Sequence, residues 1–386
     1  MGWGRAVAAA CTAAVLSSCT GQVGPVTSSG GTARAAVTDL HLADFVALDA
    51  SFVSDARGFV LGSARCAGAP CVVLLGTTDG ARHWTTLSRL PVAPYDDSGF
   101  CRVEARCVGS VRFATAEVGY LFGPALLMTT DGGRTWRHER GWTWSLEAAS
   151  GTVLRVHALS DGCNAQPSRL ESSTPGSSTW ALVRTLPAER NCPPTLYRQG
   201  PSALAVVDYG NPAGTEPWSD VQTSTDGGRH LVGRGSRYDD ICSRDTGHTA
   251  WVALAPGGVL VQLCAGNAAT SRADDSWLRI SADLGRSYRP APRVVHGDPS
   301  YPVPTTVAAA SATHLVALLN SPHVGVLQVT FDGGRYWRTT QEMPPGLRTL
   351  VGFEGANTAR ALDGDQIYTT TNGGRTWRIN TLVAES

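Results

Sequence analysis

An eight-residue pattern returns seven times along this chain and limits its possible folds more than any other feature. Its clearest copies are TTDGGRTW, residues 129–136, and TTNGGRTW, residues 370–377. The third positions run from Asp79 to Asn372 at a mean spacing of about 49 residues. A repeat of this length is too long for most helical arrays and fits a four-stranded propeller blade with its loops. The seven octets end at Trp84, Trp136, Trp180, Leu231, Tyr288, Trp337 and Trp377.

The segments between the octets have the character of short strands. GFVLG, CVVLLGT, GYLFGPALLMT and VLQVTF are β-branched or aromatic runs bounded by Gly, Asp, Asn and Pro. No long segment has the apolar stripe of an amphipathic helix. Each blade presents apolar faces that only its neighbours can cover, and seven blades in a ring leave none uncovered. We therefore predict an all-β fold, with one seven-bladed β-propeller spanning residues 38–386.

The octet is predicted to be a structural clip and not a catalytic loop. Its aspartate can accept backbone N–H groups inside a tight hairpin, its glycines supply positive φ, and its last aromatic residue anchors packing. An element repeated once per blade cannot converge on one substrate. Two of the seven copies are degenerate, and departures occur at Pro175, Ser178 and Leu231. The predicted structural positions are Asp79, Asp131, Asp226, Asp283, Asp332 and Asn372.

This pattern resembles the S-x-D-x-G-x-T-W signature of the BNR or Asp-box repeat proteins, and the resemblance covers nearly the whole chain after the N-terminal segment. It implies a hairpin between the third and fourth strands of each blade, on the face away from the usual binding site. That group includes sialidases, xyloglucan hydrolases, the sortilin receptor domain and the photosystem II assembly and stability factor, so fold does not decide function. The run of GY-x-x-G before TTDGGRTW is most similar to the assembly-factor branch.

The N-terminus indicates export. MGWGRAVAAACTAAVLSSC has one basic residue, an apolar run and then small residues before a cysteine. LSSC resembles the bacterial lipobox, which implies a signal peptide over residues 1–18 and lipidation of Cys19. Residues 19–37 then form a flexible Gly/Ser/Thr-rich tether. The expected location is the outer face of the cytoplasmic membrane, as a lipoprotein. The alternative is an ordinary cleaved signal peptide and a secreted protein.

Composition adds two constraints. The formal net charge is zero, so no bulk field attracts nucleic acid, and we predict no nucleic-acid partner. All 32 basic residues are arginine, which together with abundant alanine suggests a GC-rich genome, that of an actinobacterium. A role in assembling a photosystem would not carry over to such a host.

Eight cysteines remain after Cys11 in the signal peptide and Cys19 are set aside. An even number in an exported chain predicts disulfides, and neighbour pairing would staple loops within or beside one blade. A metal site is the alternative, but no C-x-x-C or H-x-x-x-H spacing supports one. The predicted pairs are Cys66 with Cys71, Cys101 with Cys107, Cys163 with Cys192, and Cys242 with Cys264.

An enzyme is the less favoured interpretation, and no catalytic residue is nominated. The sialidase resemblance implies an Arg-Ile-Pro segment near the first strand, whereas the only Arg-Ile pairs are at Arg279 and Arg378, both in octet segments. Other glycoside hydrolases need two carboxylates across a cleft. The adjacent pair Asp274 and Asp275 and similar pairs are typical of solvated turns. An exo-sialidase-like or other glycoside hydrolase remains the alternative function.

The preferred function is a lipid-anchored binding module that holds an extracytoplasmic protein or glycan on the face opposite the octets. Loops predicted there carry tyrosine, tryptophan and arginine, the side chains that dominate binding hot spots, beside acidic turns. For Trp144, a place in the blade core is favoured. No cofactor or metal is predicted, and the protein is expected to be a monomer. The candidate binding residues are Tyr95, Asp96, Asp97, Trp142, Arg190, Tyr197, Trp218, Tyr238, Asp239, Asp240 and Tyr301.

Overall fold

The fold is described from a computed structural model of the chain. It describes residues 42–66, 69–90, 92–94, 107–158, 166–187, 193–201, 203–209, 219–233, 249–265, 277–289, 303–320, 323–344 and 348–383. These residues form seven antiparallel sheets of consecutive strands. The prediction of an all-β, seven-bladed propeller is confirmed. In the described ranges no helix is long and apolar enough to cross a membrane.

The first three blades and one short connecting pair contain fourteen strands. Blade 1 consists of β1 (Ala43–Phe52), β2 (Gly58–Cys66), β3 (Ala69–Thr77) and β4 (Thr85–Leu90). The parallel pair β5 (Ala93–Pro94) and β6 (Cys107–Val108) leads to blade 2. Blade 2 consists of β7 (Ser110–Phe113), β8 (Gly119–Phe122), β9 (Leu126–Thr129) and β10 (Arg137–Glu139). Blade 3 consists of β11 (Trp142–Ala149), β12 (Thr152–Ala158), β13 (Ser168–Ser173) and β14 (Ala181–Leu186).

The remaining four blades repeat the same antiparallel order. Blade 4 consists of β15 (Thr195–Gln199), β16 (Ala203–Tyr209), β17 (Ser219–Ser224) and β18 (Val232–Gly233). Blade 5 consists of β19 (Thr249–Ala255), β20 (Val259–Ala265) and β21 (Trp277–Ser281), with a single bridge from Ile280 to Arg289 in place of a fourth strand. Blade 6 consists of β22 (Val303–Ala309), β23 (Leu315–Asn320), β24 (Gly325–Thr330) and β25 (Arg338–Met343). Blade 7 consists of β26 (Arg348–Phe353), β27 (Ala359–Asp363), β28 (Gln366–Thr370) and β29 (Arg378–Thr381).

The first strand of every blade is the innermost. β1, β7, β11, β15, β19, β22 and β26 each contact the first strand of both neighbouring blades. The second and third strands lie between neighbouring blades, so all side chains of β8 and β9 are buried, whereas β10 at the outer edge has two exposed residues out of three. The core therefore runs as apolar layers between the blades.

The ring closes where blade 7 meets blade 1. Phe45, Val60 and Val73 pack with Leu362 and Ile367 in one apolar cluster.

A buried arginine adds polar contacts at this junction. Arg360 is only 1 % exposed, and its Nε lies 2.7 Å from Glu354 Oε1. Its Nη2 donates to the Asp55 carbonyl at 2.8 Å, and the guanidinium lies 3.8 Å from the centre of the Phe52 ring. All strands of blade 7 come from residues 348–381. Residues 36–41 lie outside the described ranges.

Candidate functional site

Each octet forms the hairpin between the third and fourth strands of its blade. In blade 2 the hydroxyl of Thr129 donates to Asp131 Oδ1 at 2.8 Å, and the same oxygen accepts the backbone N–H groups of Arg134 and Thr135. The Thr135 hydroxyl donates to Asp131 Oδ2 at 2.6 Å. Gly133 N–H donates to the Thr129 hydroxyl. Both carboxylate oxygens of Asp131 are thus used inside the hairpin.

The hydroxyl bond from the first octet residue and the backbone bond from the seventh recur in the other octets that keep an acidic or amide third residue. His83, His230 and Ser287 supply the side-chain donor to the second carboxylate oxygen, each at 2.6 Å. In blade 7 the amide of Asn372 reproduces this geometry, since its Oδ1 accepts from Thr376 N–H and its Nδ2 donates to the Thr376 hydroxyl. The six predicted positions therefore all lie in equivalent hairpins, at Asp79, Asp131, Asp226, Asp283, Asp332 and Asn372.

These hydrogen bonds favour the ionised carboxylates. Backbone donation from His83 and from His230 holds the pKa of Asp79 and that of Asp226 well below the usual range. For Asp283 the Ser287 hydroxyl is the largest cause, and its pKa falls to about 2. Burial raises the pKa of Asp131, but the hydrogen bonds from Thr135 outweigh it and the net pKa is lowered. A base with so low a pKa is a poor proton acceptor near neutral pH.

The backbone explains the octet glycines and shows how the hairpins seal the ring. Gly133 has φ of 88°, and a Cβ there would lie 2.4 Å from Leu74 Cδ2 of the preceding blade. Gly132 N–H donates to the Glu117 carbonyl at 2.8 Å, which ties the hairpin to the turn between the first two strands. The hairpin is therefore packed against both its own blade and the previous one.

The third octet is held differently because Pro175 replaces the aspartate. The Ser173 hydroxyl donates to the Thr179 carbonyl at 2.8 Å, and the hydroxyl of Tyr120 in blade 2 accepts Gly176 N–H at 3.0 Å. Trp180 lies under the guanidinium of Arg155, 4.1 Å from Cζ to the ring centre. Contacts from neighbouring strands replace the missing carboxylate.

A charged cluster on three inner strands was not predicted from the sequence. Arg112 of blade 2 bonds Asp49 of blade 1 at 2.8 Å and Glu147 of blade 3 at 3.3 Å. Asp49 also accepts Val111 N–H at 2.9 Å. Burial opposes the charge of Arg112, but attraction to the two carboxylates outweighs it and raises the pKa of the guanidinium. Burial raises the pKa of Glu147 despite its contact with Arg112. Strand alternation gives no signal for such a cluster, because the three residues are far apart in sequence.

The cluster links the inner strands of blades 1, 2 and 3 through ion pairs. Each carboxylate contacts the one guanidinium that lies between them, and Asp49 also fixes the backbone of the next inner strand. Among the described residues, no group of three His, Cys, Asp or Glu side chains could hold a metal ion.

Two of the predicted binding residues fall on described strands. Trp142 begins β11 and is half-buried, pairing with Ala158. Tyr197 lies within β15 and packs against the buried Ala205 and Val207. Trp144, favoured as a core residue, is half-buried in β11. Those that lie outside the described residues are Tyr95, Asp96, Asp97, Arg190, Trp218, Tyr238, Asp239, Asp240 and Tyr301.

The disulfide prediction is confirmed where both cysteines are described. Cys66 and Cys71 are bonded across the turn between β2 and β3, and both are buried. Cys107 and Cys264 are disulfide-bonded as well. Their predicted partners Cys101 and Cys242 lie outside the described residues, as do Cys163, Cys192 and the predicted lipidation site Cys19.

Comparison with known proteins supports the propeller fold. The chain is similar to the solved structure of YCF48 bound to D1 peptide, with a TM-score of 0.54 and 15% sequence identity over 89% of this chain and 95% of that one. It is also similar to Sqt1 from Chaetomium thermophilum (TM-score 0.48, 10% identity, 85% of this chain and 81% of that one). A GH74 enzyme from Niastella koreensis has a TM-score of 0.32 and 12% identity, over 86% of this chain and 71% of that one. The last two scores support no inference about this chain.

No protein-family model matches the sequence, and no curated protein matches it. At 15% identity the likeness to YCF48 concerns the fold alone.

Proposed function

We propose that this protein is an extracytoplasmic binding module of the Asp-box type, anchored through a lipid on Cys19, that recognises a protein or glycan partner on the face opposite the octets. The observation that carries the proposal is a difference in loop length between the two faces. Every octet hairpin has seven residues between its flanking strands or bridge. On the opposite face the connections vary from the two residues 67–68 to the fifteen residues 234–248.

Uniform turns are what a repeated scaffold requires, and long variable loops on a rigid scaffold are where binding residues concentrate. The longest connections, residues 234–248 and 290–302, contain the candidate residues Tyr238, Asp239 and Tyr301. Their aromatic and acidic side chains suit a partner with exposed polar backbone or sugar rings.

The charges of the described residues support binding rather than catalysis. The octet carboxylates are held in their own hairpins, and the Asp49 and Glu147 carboxylates are both bound to Arg112. YCF48, which shares the fold, was solved with a bound peptide. A protein partner is therefore the first class to test, and a glycan the second.

The test is site-specific photocrosslinking in the native membrane. The chain has no lysine, so amine-reactive reagents do not report on its surface. We would place benzoylphenylalanine at Tyr238 or Tyr301, and at the exposed Leu182 on an outer strand as the matched control.

One protein crosslinked reproducibly from position 238 or 301 and not from 182 is the expected result. Equal crosslinking from all three positions, or none together with no binding on a glycan array, would overturn the proposal. The alternative sialidase-like activity would appear as turnover of fluorogenic glycosides.

A further inference from the structure

The octet hairpins of blades 6 and 7 combine exposed aromatic side chains with exposed arginines. Tyr336 is 81 % exposed and Phe331 is 41 % exposed, both in the blade 6 octet. Arg335 and Arg338 beside them are exposed, as is Arg375 in the blade 7 octet. We call these five residues the basic–aromatic patch.

The patch is continuous across the two blades. The guanidinium of Arg375 lies 4.0 Å from the centre of the Phe331 ring, so the blade 7 hairpin contacts the blade 6 hairpin. His314 stacks on the same ring at 4.6 Å. Phe331 is thus held in a fixed, partly exposed position, and its ordering costs little further entropy on binding.

The patch carries more positive charge than its two octets balance, since Asp332 beside Arg335 is the one carboxylate that they contain. In blade 7 Asn372 replaces the octet aspartate, so Arg375 has no octet carboxylate beside it. Within the described residues, neither Arg335 nor Arg338 forms an ion pair with a carboxylate. The whole chain has no net charge, so this is a local excess.

The apolar exposure is equally local. Among the described residues the large hydrophobic side chains that are exposed number five, and three of them lie on these two hairpins or the strand that follows. They are Phe331, Tyr336 and Ile379.

We infer that the basic–aromatic patch docks on an anionic phospholipid surface. Arginine forms bidentate contacts with phosphate, and tyrosine and phenylalanine settle at the level of lipid headgroups. At 81 % exposure Tyr336 stands clear of its neighbours, whereas an anchor for a folded partner is surrounded by a ring of water-excluding contacts. A deformable bilayer can cover such a protruding side chain.

This inference concerns the octet face and does not depend on the partner proposed for the opposite face. It also predicts attraction to a membrane without the lipid anchor. The experiment is therefore done with the full chain carrying Cys19→Ala, and co-sedimentation is measured with phosphatidylcholine vesicles with and without phosphatidylglycerol.

Two variants test the patch. Arg335→Gln with Arg338→Gln should weaken partition onto phosphatidylglycerol vesicles on the order of 10- to 30-fold, given the typical contribution of each basic residue near such a surface. The matched control is Arg134→Gln with Arg137→Gln, which changes the same octet positions in blade 2 and should leave partition within about twofold.

Tyr336→Thr separates docking from folding. Thr135 at the equivalent position of blade 2 donates to Asp131 at 2.6 Å, so threonine should give Asp332 the same bond and keep or raise stability. We expect severalfold weaker partition with an unchanged melting temperature.

Partition that needs phosphatidylglycerol, falls with added salt and is lost with the blade 6 variants alone is the expected outcome. Absence of partition at low salt would overturn the inference, and so would equal loss in the blade 2 control. Normal partition of the blade 6 variants together with loss of a crosslinked acidic protein would assign the patch to a protein instead.

Discussion

The octet hairpins of blade 1 and blade 3 are each hydrogen-bonded to a side chain of the preceding blade at the same place, but the side chains differ. We call this hydrogen bond the grip. In the second strand of blade 7, Ala359 pairs with Thr370, the first residue of that blade's octet, and in blade 2 Gly119 pairs with Thr129 in the same way. Arg360 and Tyr120 are the next residues, so they occupy equivalent positions. Arg360 donates to the Gly80 carbonyl at 3.4 Å, and the Tyr120 hydroxyl accepts Gly176 N–H at 3.0 Å. Gly80 and Gly176 are both the fourth residue of their octet.

The difference shows that two sets of bonds hold an octet hairpin. Blade 1 has the internal carboxylate of Asp79 as well as the grip from Arg360. Blade 3 has Pro175 instead and is held from blade 2 by Tyr120 and by Arg137, which donates to the Gly176 carbonyl and the Ser178 hydroxyl. In the other five blades the second-strand residue equivalent to Arg360 and Tyr120 is apolar. These residues are Phe59, Leu154, Ala205, Val261 and Val316.

The largest effect is expected from Arg360→Met, which removes the bonds of this buried arginine to Glu354, Asp55 and Gly80. The bond from Arg378 to the Gly80 carbonyl at 2.7 Å remains. Glu354 would lose its partner, and because burial already raises its pKa to about 7, it would become protonated near neutral pH. Losing one partner of a buried pair typically costs about 3–5 kcal/mol of unfolding free energy. Urea unfolding followed by tryptophan fluorescence measures the loss.

The double variant Arg360→Met with Glu354→Gln tests the cause of that loss. It should recover part of the stability, because no buried ionisable group is then left without its partner. A double variant as unstable as the single one would show that the Arg360 bonds to blade 1 matter more than the ion pair.

The second effect is the loss of an internal carboxylate. Asp131→Ala leaves the backbone N–H groups of Arg134 and Thr135 without their acceptor, as in the loss of a helix N-cap, and should cost about 1–2 kcal/mol. Pro175→Ala is the matched control, since the third octet has no such bonds. Binding by the opposite face should persist in a folded Asp131→Ala protein, and selective loss of binding would contradict the structural role of the octet.

The fold could be predicted because the octet repeats at a blade-length period and each strand is short and apolar. The octet hydrogen bonds could be predicted from Asp131 and its glycines, since they act within five residues. The grip from Arg360 could not, because its partners Asp55 and Gly80 are about 300 residues away in sequence. Ring closure brings blade 7 into contact with blade 1, and local sequence patterns do not indicate contacts between residues so far apart in the chain.

For the candidate site, the sequence predicted only the face of the propeller on which it lies, the face opposite the octets. The turn residues of the octets predicted hairpins on one face of the propeller, and in the structure every octet is a hairpin that follows the third strand of its blade. The charged cluster of Asp49, Arg112 and Glu147 was missed because each residue looks like one polar position of an alternating strand. The exposure of Tyr336 was also missed, although the seventh octet position is polar in all six other copies and polar positions of a turn are typically exposed.

A smaller effect is expected from Tyr120→Phe, which removes the external grip on the blade 3 hairpin. Gly176 N–H would lose its acceptor, at a cost of about 1 kcal/mol. Tyr368→Phe is the control, because the Tyr368 hydroxyl donates to Gln366 of its own strand. Equal losses in the two variants, measured by thermal unfolding, would show that the bond to Gly176 adds nothing to the junction.

The smallest effect at neutral pH is expected from Asp131→Asn. This variant is most informative at acid pH. Blade 7 shows that an amide keeps the hairpin geometry, so the cost near pH 7 should be a few tenths of a kcal/mol. The folded pKa of Asp131 lies below its ordinary value of 3.8. Its stabilising effect is therefore complete above that value and is lost as pH falls through and below it.

Asp131→Asn has no proton to gain, so its stability should fall less steeply than that of the wild type below about pH 4. Unfolding free energies measured from pH 6 down to pH 2.5 should thus converge as acid is added. Parallel curves would mean that Asp131 is held by its hydrogen bonds no more strongly in the folded chain than in the unfolded one. In that case the internal carboxylate would shape the hairpin without stabilising it, and blade 3 would have lost nothing by replacing it with Pro175.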